Sequence, residues 1–307
     1  MTATRPPSLG LPRPPVAPDP PAARTVALVR TLASPLLAWQ AAQLRRSTPR
    51  LPEPGVAGQG GAGLGFSRLR LLIVGDSSAA GVGAVDPART LAPLLAEALS
   101  RRISETEMGL TRVSWQLVAR TGVSSNTALP MMAANKLDPA DVLITVLGVN
   151  DVLEQTPTGR WLANLDAIRS HAKHRAKVRF TVHCAPPRMD LMSFVPQPLR
   201  WLMGAQASRL DAALRGHVRH AYRRSRFVLP FDPTTESIEQ WLAVDRFHPN
   251  EALYARWAEA LADHIEYDLT QNPAQGAVLP TGFTPSAWAA LQDEDVETGD
   301  SRFGALG

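Results

Sequence analysis

Gly75-Asp76-Ser77 stands directly after the apolar run Leu71-Leu72-Ile73-Val74. A serine at the carboxyl end of a buried strand sits where parallel α/β sheets bind ligands. Its hydroxyl is a weak nucleophile until a base removes the proton. Of the seven histidines, only His248 has a carboxylate three residues earlier, in Asp245-Arg246-Phe247-His248-Pro249. A turn of that length can bring Asp245 to the imidazole Nδ1, fixing the tautomer that leaves Nε2 for the serine. Pro249 stops the loop from continuing as helix and is suited to the start of the next one.

Acyl transfer through such a serine also needs donors for the oxyanion of the tetrahedral intermediate. Gly122 and Asn150, the latter in Gly148-Val149-Asn150-Asp151, come after two further apolar runs. Their positions predict that the backbone N–H groups of Ser77 and Gly122 and the side-chain NH₂ of Asn150 meet at one sheet edge. Taken alone, Asn150-Asp151 reads equally as a turn with a helix cap. The Gly-x-Gly at 81–83 lacks the further glycine of a nucleotide fingerprint. His171/His174 and His217/His220 each have i, i+3 spacing, but no third ligand is placed near either pair, so no metal site is expected.

The elements needed to position these residues are set by periodicity. Apolar runs at 68–74, 113–119, 141–147, 178–184 and 226–231 read as strands. Helical spacing covers 89–102, 126–137, 160–177, 199–224 and 251–267. Strands alternating with long helices predict a parallel sheet covered on both faces, a unit placed at 67–267. Outside this unit lie a Pro-rich leader over 1–23, a helix within 24–48, a Pro/Gly-rich linker over 49–66 and an acidic tail over 268–307, with apolar residues around 283–291.

The 307 residues are 45% hydrophobic and 20% charged, an ordinary globular composition. Net charge is only +4, with the first 65 residues basic and the last 40 acidic, and no basic run interleaved with aromatics marks a nucleic-acid surface. Cys184 is the one cysteine, which precludes an internal disulfide and reads as a small buried hydrophobe. No apolar stretch is long enough for a membrane span, and a Pro-rich leader is not a signal-peptide beginning, so a cytoplasmic protein is expected. The segment 25–46, with Trp39 and its leucines beside Arg45 and Arg46, suits either peripheral contact with a membrane or packing on its own domain.

Taken together, the blocks resemble the SGNH, or GDSL, hydrolase family. Gly75-Asp76-Ser77-Ser78-Ala79-Ala80-Gly81, the lone Gly122, Gly148-Val149-Asn150-Asp151 and Asp245-Arg246-Phe247-His248-Pro249 match its four blocks in order. The resemblance spans residues 69–266 and makes the unit at 67–267 a hydrolase domain. It implies a flavodoxin-like three-layer α/β/α sandwich with a five-stranded parallel sheet. It also implies a Ser77-His248-Asp245 triad, an oxyanion hole from Ser77, Gly122 and Asn150, no metal or organic cofactor, and a small-molecule ester as substrate. An acyltransferase, or a non-hydrolytic binder on the same fold, is the alternative. Leu153, Trp161, Met189, Met192 and Phe194, in and beside the loops 151–160 and 185–200, are the candidate pocket residues, or else core.

Overall fold

A computed structural model describes residues 20–65, 67–106, 111–219, 221–233 and 236–270. Most of the expected leader, nearly all of the acidic tail with its 283–291 segment, and His220 lie outside the described residues.

The sheet has six strands: β1 (Gln59–Ala62), β2 (Ser67–Gly75), β3 (Thr111–Ala119), β4 (Val142–Val146), β5 (Phe180–Cys184) and β6 (Arg224–Phe227). Their order is β1-β3-β2-β4-β5-β6. The strands β2 to β6 are parallel, and their order is that of doubly wound flavodoxin-like sheets. The expected five-stranded parallel sheet is therefore corrected to a mixed one. Residues 59–62, inside the expected linker, add β1 antiparallel to β3, pairing Gln59 with Gln116 and Ala62 with Val113.

Eight helices accompany the sheet: α1 (Ala23–Leu32), α2 (Ser34–Ser47), α3 (Leu91–Thr106), α4 (Ser125–Ala133), α5 (Val149–Leu153), α6 (Thr158–Ala176), α7 (Leu199–Val218) and α8 (Glu251–Thr270). Side chains alternate across a strand, so β2 serves two cores. Leu69, Leu71 and Ile73 pack with α3 and α8, while Leu72 and Val74 pack with α4, α6 and α7. Every residue of β4 and β5 is buried, which explains why these strands are mostly apolar rather than alternating, with Thr145 and His183 hydrogen-bonded to each other. The single helix expected near the N-terminus is broken at Ala33 into two consecutive segments. It rests on α7, where Val26 and Leu37 meet Leu202 and Ala205. The Gln40 side chain donates to the Gln197 carbonyl at 2.6 Å and accepts the Leu199 N–H at 3.2 Å.

Among the described residues, no helix is long and apolar enough to cross a membrane.

Candidate active site

The chain delivers its chemistry-bearing residues at the carboxyl ends of neighbouring strands. Ser77 comes after β2, Gly122 after β3, and Asn150 lies in α5 just after β4. His248 comes from the other end of the domain, in the loop before α8, yet its Nε2 lies 2.9 Å from Ser77 Oγ. Its Nδ1 lies 2.5 Å from Asp245 Oδ2. The second Asp245 oxygen accepts the backbone N–H groups of Phe247 and His248, both at 3.0 Å. The Asp245 side chain is thereby fixed by its own turn, in which Arg246 takes a left-handed φ of +60°. Burial works to raise the Asp245 pKa, but the hydrogen bonds from His248 and the two amides outweigh it and hold the value below the ordinary one. Asp245 is thus an ionised acceptor facing Nδ1–H.

The loop that carries this pair is held at both ends. Ala243 N–H donates to the His248 carbonyl at 2.8 Å, and Asn250 N–H to the Trp241 carbonyl at 3.0 Å. Asn250 Oδ1 accepts the Leu253 N–H at 3.0 Å, capping α8.

Gly122 has φ +82°, and a Cβ placed on it would meet nothing within 4 Å. Its position therefore faces open space beside Ser77's strand. One N–H of the Asn150 amide donates to the Val123 carbonyl at 3.0 Å. An amide carries two such hydrogens, so this bond ties Asn150 to the Gly122 loop while a second donor remains. Asp151 is no simple turn residue. It is fully buried and accepts from Ser125 N–H at 3.0 Å and from Ser125 Oγ–H at 2.5 Å, stapling α5 to the start of α4. Asn164 of α6 completes the cluster, donating to Ser125 Oγ at 2.9 Å.

Three supporting residues carry no motif that marks them in the sequence. Glu53, outside the sheet, accepts both the N–H and the hydroxyl of Thr121, at 2.8 and 2.6 Å, and so braces the residue before Gly122. Tyr254 of α8 donates its hydroxyl to the Val82 carbonyl at 2.8 Å, joining the nucleophile loop to the helix behind His248. Gly83 lies against the histidine itself: a Cβ there would stand 2.2 Å from the Pro249 carbonyl oxygen and 3.2 Å from His248 Cβ. With φ +103°, Gly83 is also in a region that side chains avoid. Gly83→Ala must push the histidine loop outward. We expect it to lower kcat/KM for an ester by roughly 100-fold, as misplacement by about 1 Å does. Steady-state kinetics beside a thermal melt check this; wild-type kcat/KM would reject it.

Asp76, between β2 and Ser77, is also buried, and its Oδ1 accepts the Ser78 N–H at 2.9 Å. Burial pushes its pKa from 3.8 to about 6, against the opposing pull of the Ser78 N–H and His248. A native value above the unfolded one means that the folded chain holds this proton longer. The stabilisation is fully present below the unfolded pKa and is lost as pH rises through about 6. Between about pH 4 and pH 7 the wild-type chain should therefore lose on the order of 2–3 kcal/mol relative to Asp76→Asn. Urea unfolding at the two pH values measures the difference; a gap between the two proteins that does not change with pH would refute it.

An apolar cavity of about 130 Å³ is lined by Asp76, Ser78 and His248, which flank or meet Ser77, and by apolar residues that include Leu147, Met192, Leu229, Phe231 and Trp257. Of the expected pocket residues only Met192 lines it. Trp161 and Met189 are buried in the core under the sheet, Leu153 is exposed, and Phe194 packs edge-on against Phe247. Cys184 also lines the cavity; it is buried, and burial pushes its thiol up to about 12. His183 is a buried partner of Thr145 Oγ1, 2.8 Å away, its pKa pushed down to about 3 by burial. His217 pairs with Asp166 at 3.0 Å and His264 with Asp268 at 3.1 Å. No group of three or more His, Cys, Asp or Glu residues suited to a metal ion occurs among the described residues.

The family model described as GDSL-like Lipase/Acylhydrolase matches residues 73–256. No protein of curated function matches the chain. Among solved structures, the chain is similar to the lipase Lip_vut3 from a goat rumen metagenome, with 18% identity, 63% of this chain and 95% of that one covered, and a TM-score of 0.46. It is similar to the psychrotrophic esterase EstA from Pseudoalteromonas sp., with 18% identity, coverage of 65% and 94%, and a TM-score of 0.42. A carbohydrate esterase family 2 enzyme with a carbohydrate-binding domain, from Corynascus thermopiles, is similar at 16% identity, with coverage of 74% and 69% and a TM-score of 0.47.

Proposed function

Because the chain belongs to the GDSL-like lipase/acylhydrolase family, and is thus an enzyme of the esterase or lipase type, we propose that it cleaves carboxylic esters through an acyl-enzyme on Ser77. The observation that carries this reading is the unbroken hydrogen-bonded line Ser77 Oγ, His248, Asp245, at 2.9 and 2.5 Å.

Ser77 Oγ attacks the acyl carbonyl carbon as its proton passes to His248 Nε2. Asp245 accepts from Nδ1–H and stabilises the imidazolium that forms. The carbonyl oxygen becomes an oxyanion, received by the N–H groups of Ser77 and Gly122 and by the free hydrogen of the Asn150 amide. His248 returns the proton to the leaving alcohol oxygen as the C–O bond breaks. Water then attacks the acyl-enzyme, gives its proton to His248, and the acid leaves with Ser77 restored. The apolar cavity beside His248 supports an apolar group on the ester, seated along Met192, Leu229 and Trp257.

Turnover of p-nitrophenyl esters of increasing acyl length, by the purified chain and by a variant without the Ser77 hydroxyl, tests the proposal. Turnover that survives loss of that hydroxyl would sink it.

A further inference from the structure

The broken helix α1–α2 lies outside the matched residues 73–256 and outside the chemistry. Its inner side is occupied by α7, through Val26, Leu37 and Gln40. Among the described residues nothing covers four of its apolar side chains: Leu28 is 59% exposed, Leu32 74%, Leu36 44% and Trp39 63%. Leu28, Leu32 and Leu36 share one shallow groove with Pro198. In α2, exposed Leu36 and Trp39 stand one turn apart, while Leu37 and Gln40 are buried.

The charges on this segment have one sign. Arg24, Arg30, Arg45, Arg46 and Arg50 are all exposed, and no aspartate or glutamate occurs between Pro20 and Pro52. Exposed aliphatic side chains with one tryptophan, on a segment that carries exposed arginines and no carboxylate, match the two components of an anionic bilayer surface. The apolar side chains enter the boundary between headgroups and acyl chains, and the guanidinium groups meet lipid phosphates. Tryptophan is the side chain whose ring suits that boundary. Pro198 of the groove ends the same loop whose earlier residues Pro186, Pro187, Arg188, Leu191 and Met192 line the cavity beside His248.

We propose that the broken helix α1–α2 seats the protein on an anionic lipid bilayer, laying Leu28, Leu32, Leu36 and Trp39 into the interface. The proposal stands independently of the esterase reading, since binding and turnover are measured separately.

The test is co-sedimentation of the full chain with vesicles of phosphatidylcholine alone and of phosphatidylcholine mixed with phosphatidylglycerol. The chain should sediment with the mixed vesicles at low salt and be released at high salt. Leu36→Ser with Trp39→Ser, and separately Arg45→Gln with Arg46→Gln, should each weaken partitioning by roughly ten-fold or more. Both variants should keep wild-type turnover of p-nitrophenyl butyrate, which shows that they fold. Trp39 emission should shift to the blue on the mixed vesicles, and Trp39→Phe should remove that shift although other tryptophans remain. Three results would overturn the proposal: no sedimentation of the wild-type chain with the mixed vesicles, equal sedimentation of both double variants, or a full blue shift in Trp39→Phe. A chain that stays in solution and cross-links residue 36 to a residue beyond Thr270 would also overturn it, and would assign this face to the chain's own acidic end.

Discussion

Ser77→Ala should lower ester turnover by ~10⁵-fold or more while leaving the fold in place. The side chain is small and almost fully buried, and its hydroxyl is bonded to His248. Its loss leaves no charge unpaired, so the thermal melt should move by only about 1 kcal/mol equivalent. The expected rate effect is far larger because, in the proposed mechanism, the acyl-enzyme forms on the Ser77 hydroxyl. Ser78 is adjacent in sequence, but it is His248 and Ser77 that meet at hydrogen-bond distance. The surviving rate should be the contribution of oxyanion donors and binding, on the order of 10³-fold over water. Initial rates with p-nitrophenyl butyrate measure this, alongside circular dichroism to show that both proteins fold alike. A variant within tenfold of wild type would remove Ser77 from the mechanism.

Asp245→Asn should cost ~10⁴-fold in kcat with little change in the structure. The amide oxygen can still accept the Phe247 and His248 N–H groups that the carboxylate accepts now. The amide NH₂ then faces His248 Nδ1, where a carboxylate oxygen stands at 2.5 Å in the wild-type chain. A donor at that point forces Nδ1 to be the acceptor, so the ring proton moves to Nε2, and the nitrogen facing Ser77 no longer accepts. The imidazolium formed in the reaction also loses its counter-charge. Asp245→Ala should show a comparable loss together with a loosened turn, seen as a lower melting temperature. A kcat for Asp245→Asn within tenfold of wild type would show that the carboxylate does not set the tautomer.

Much of this site is legible in the sequence because each of its loops comes after a strand whose pattern is unmistakable. β2 and β4 are buried on both faces, which yields the largely apolar runs Leu71–Val74 and Val142–Val146, and the residues after each run must stand at the sheet's carboxyl edge. Asp245 and His248 are legible for a different reason: a three-residue spacing closes a turn locally. Residues whose partner is remote in sequence left no such mark. Glu53 acquires its role only because Thr121 is folded against it, and Gly83 only because Pro249 arrives beside it. β1 is hidden for a third reason. Its sequence, Gln-Gly-Gly-Ala, has no strand propensity, and the pairing comes from β3, whose Trp115 ring occupies the space that a side chain on Gly60 would need. The cavity residues fail differently again. Trp161 and Met192 are both large and apolar, and whether such a residue faces the sheet or an opening depends on packing that periodicity does not encode.

The two edges of the sheet bear on how the molecule meets copies of itself. A long strand with free backbone groups is a template on which another chain can pair. β3, nine residues long, would be such a template, but four residues of β1 lie along it. At the opposite edge β6 has only four residues, and its Arg224 and Arg226 are engaged by Asp166 and Asp211. One margin is closed by a strand with almost no side chains to grip, the other by a short strand carrying charge. Sheet-to-sheet polymerisation is thereby discouraged at both margins.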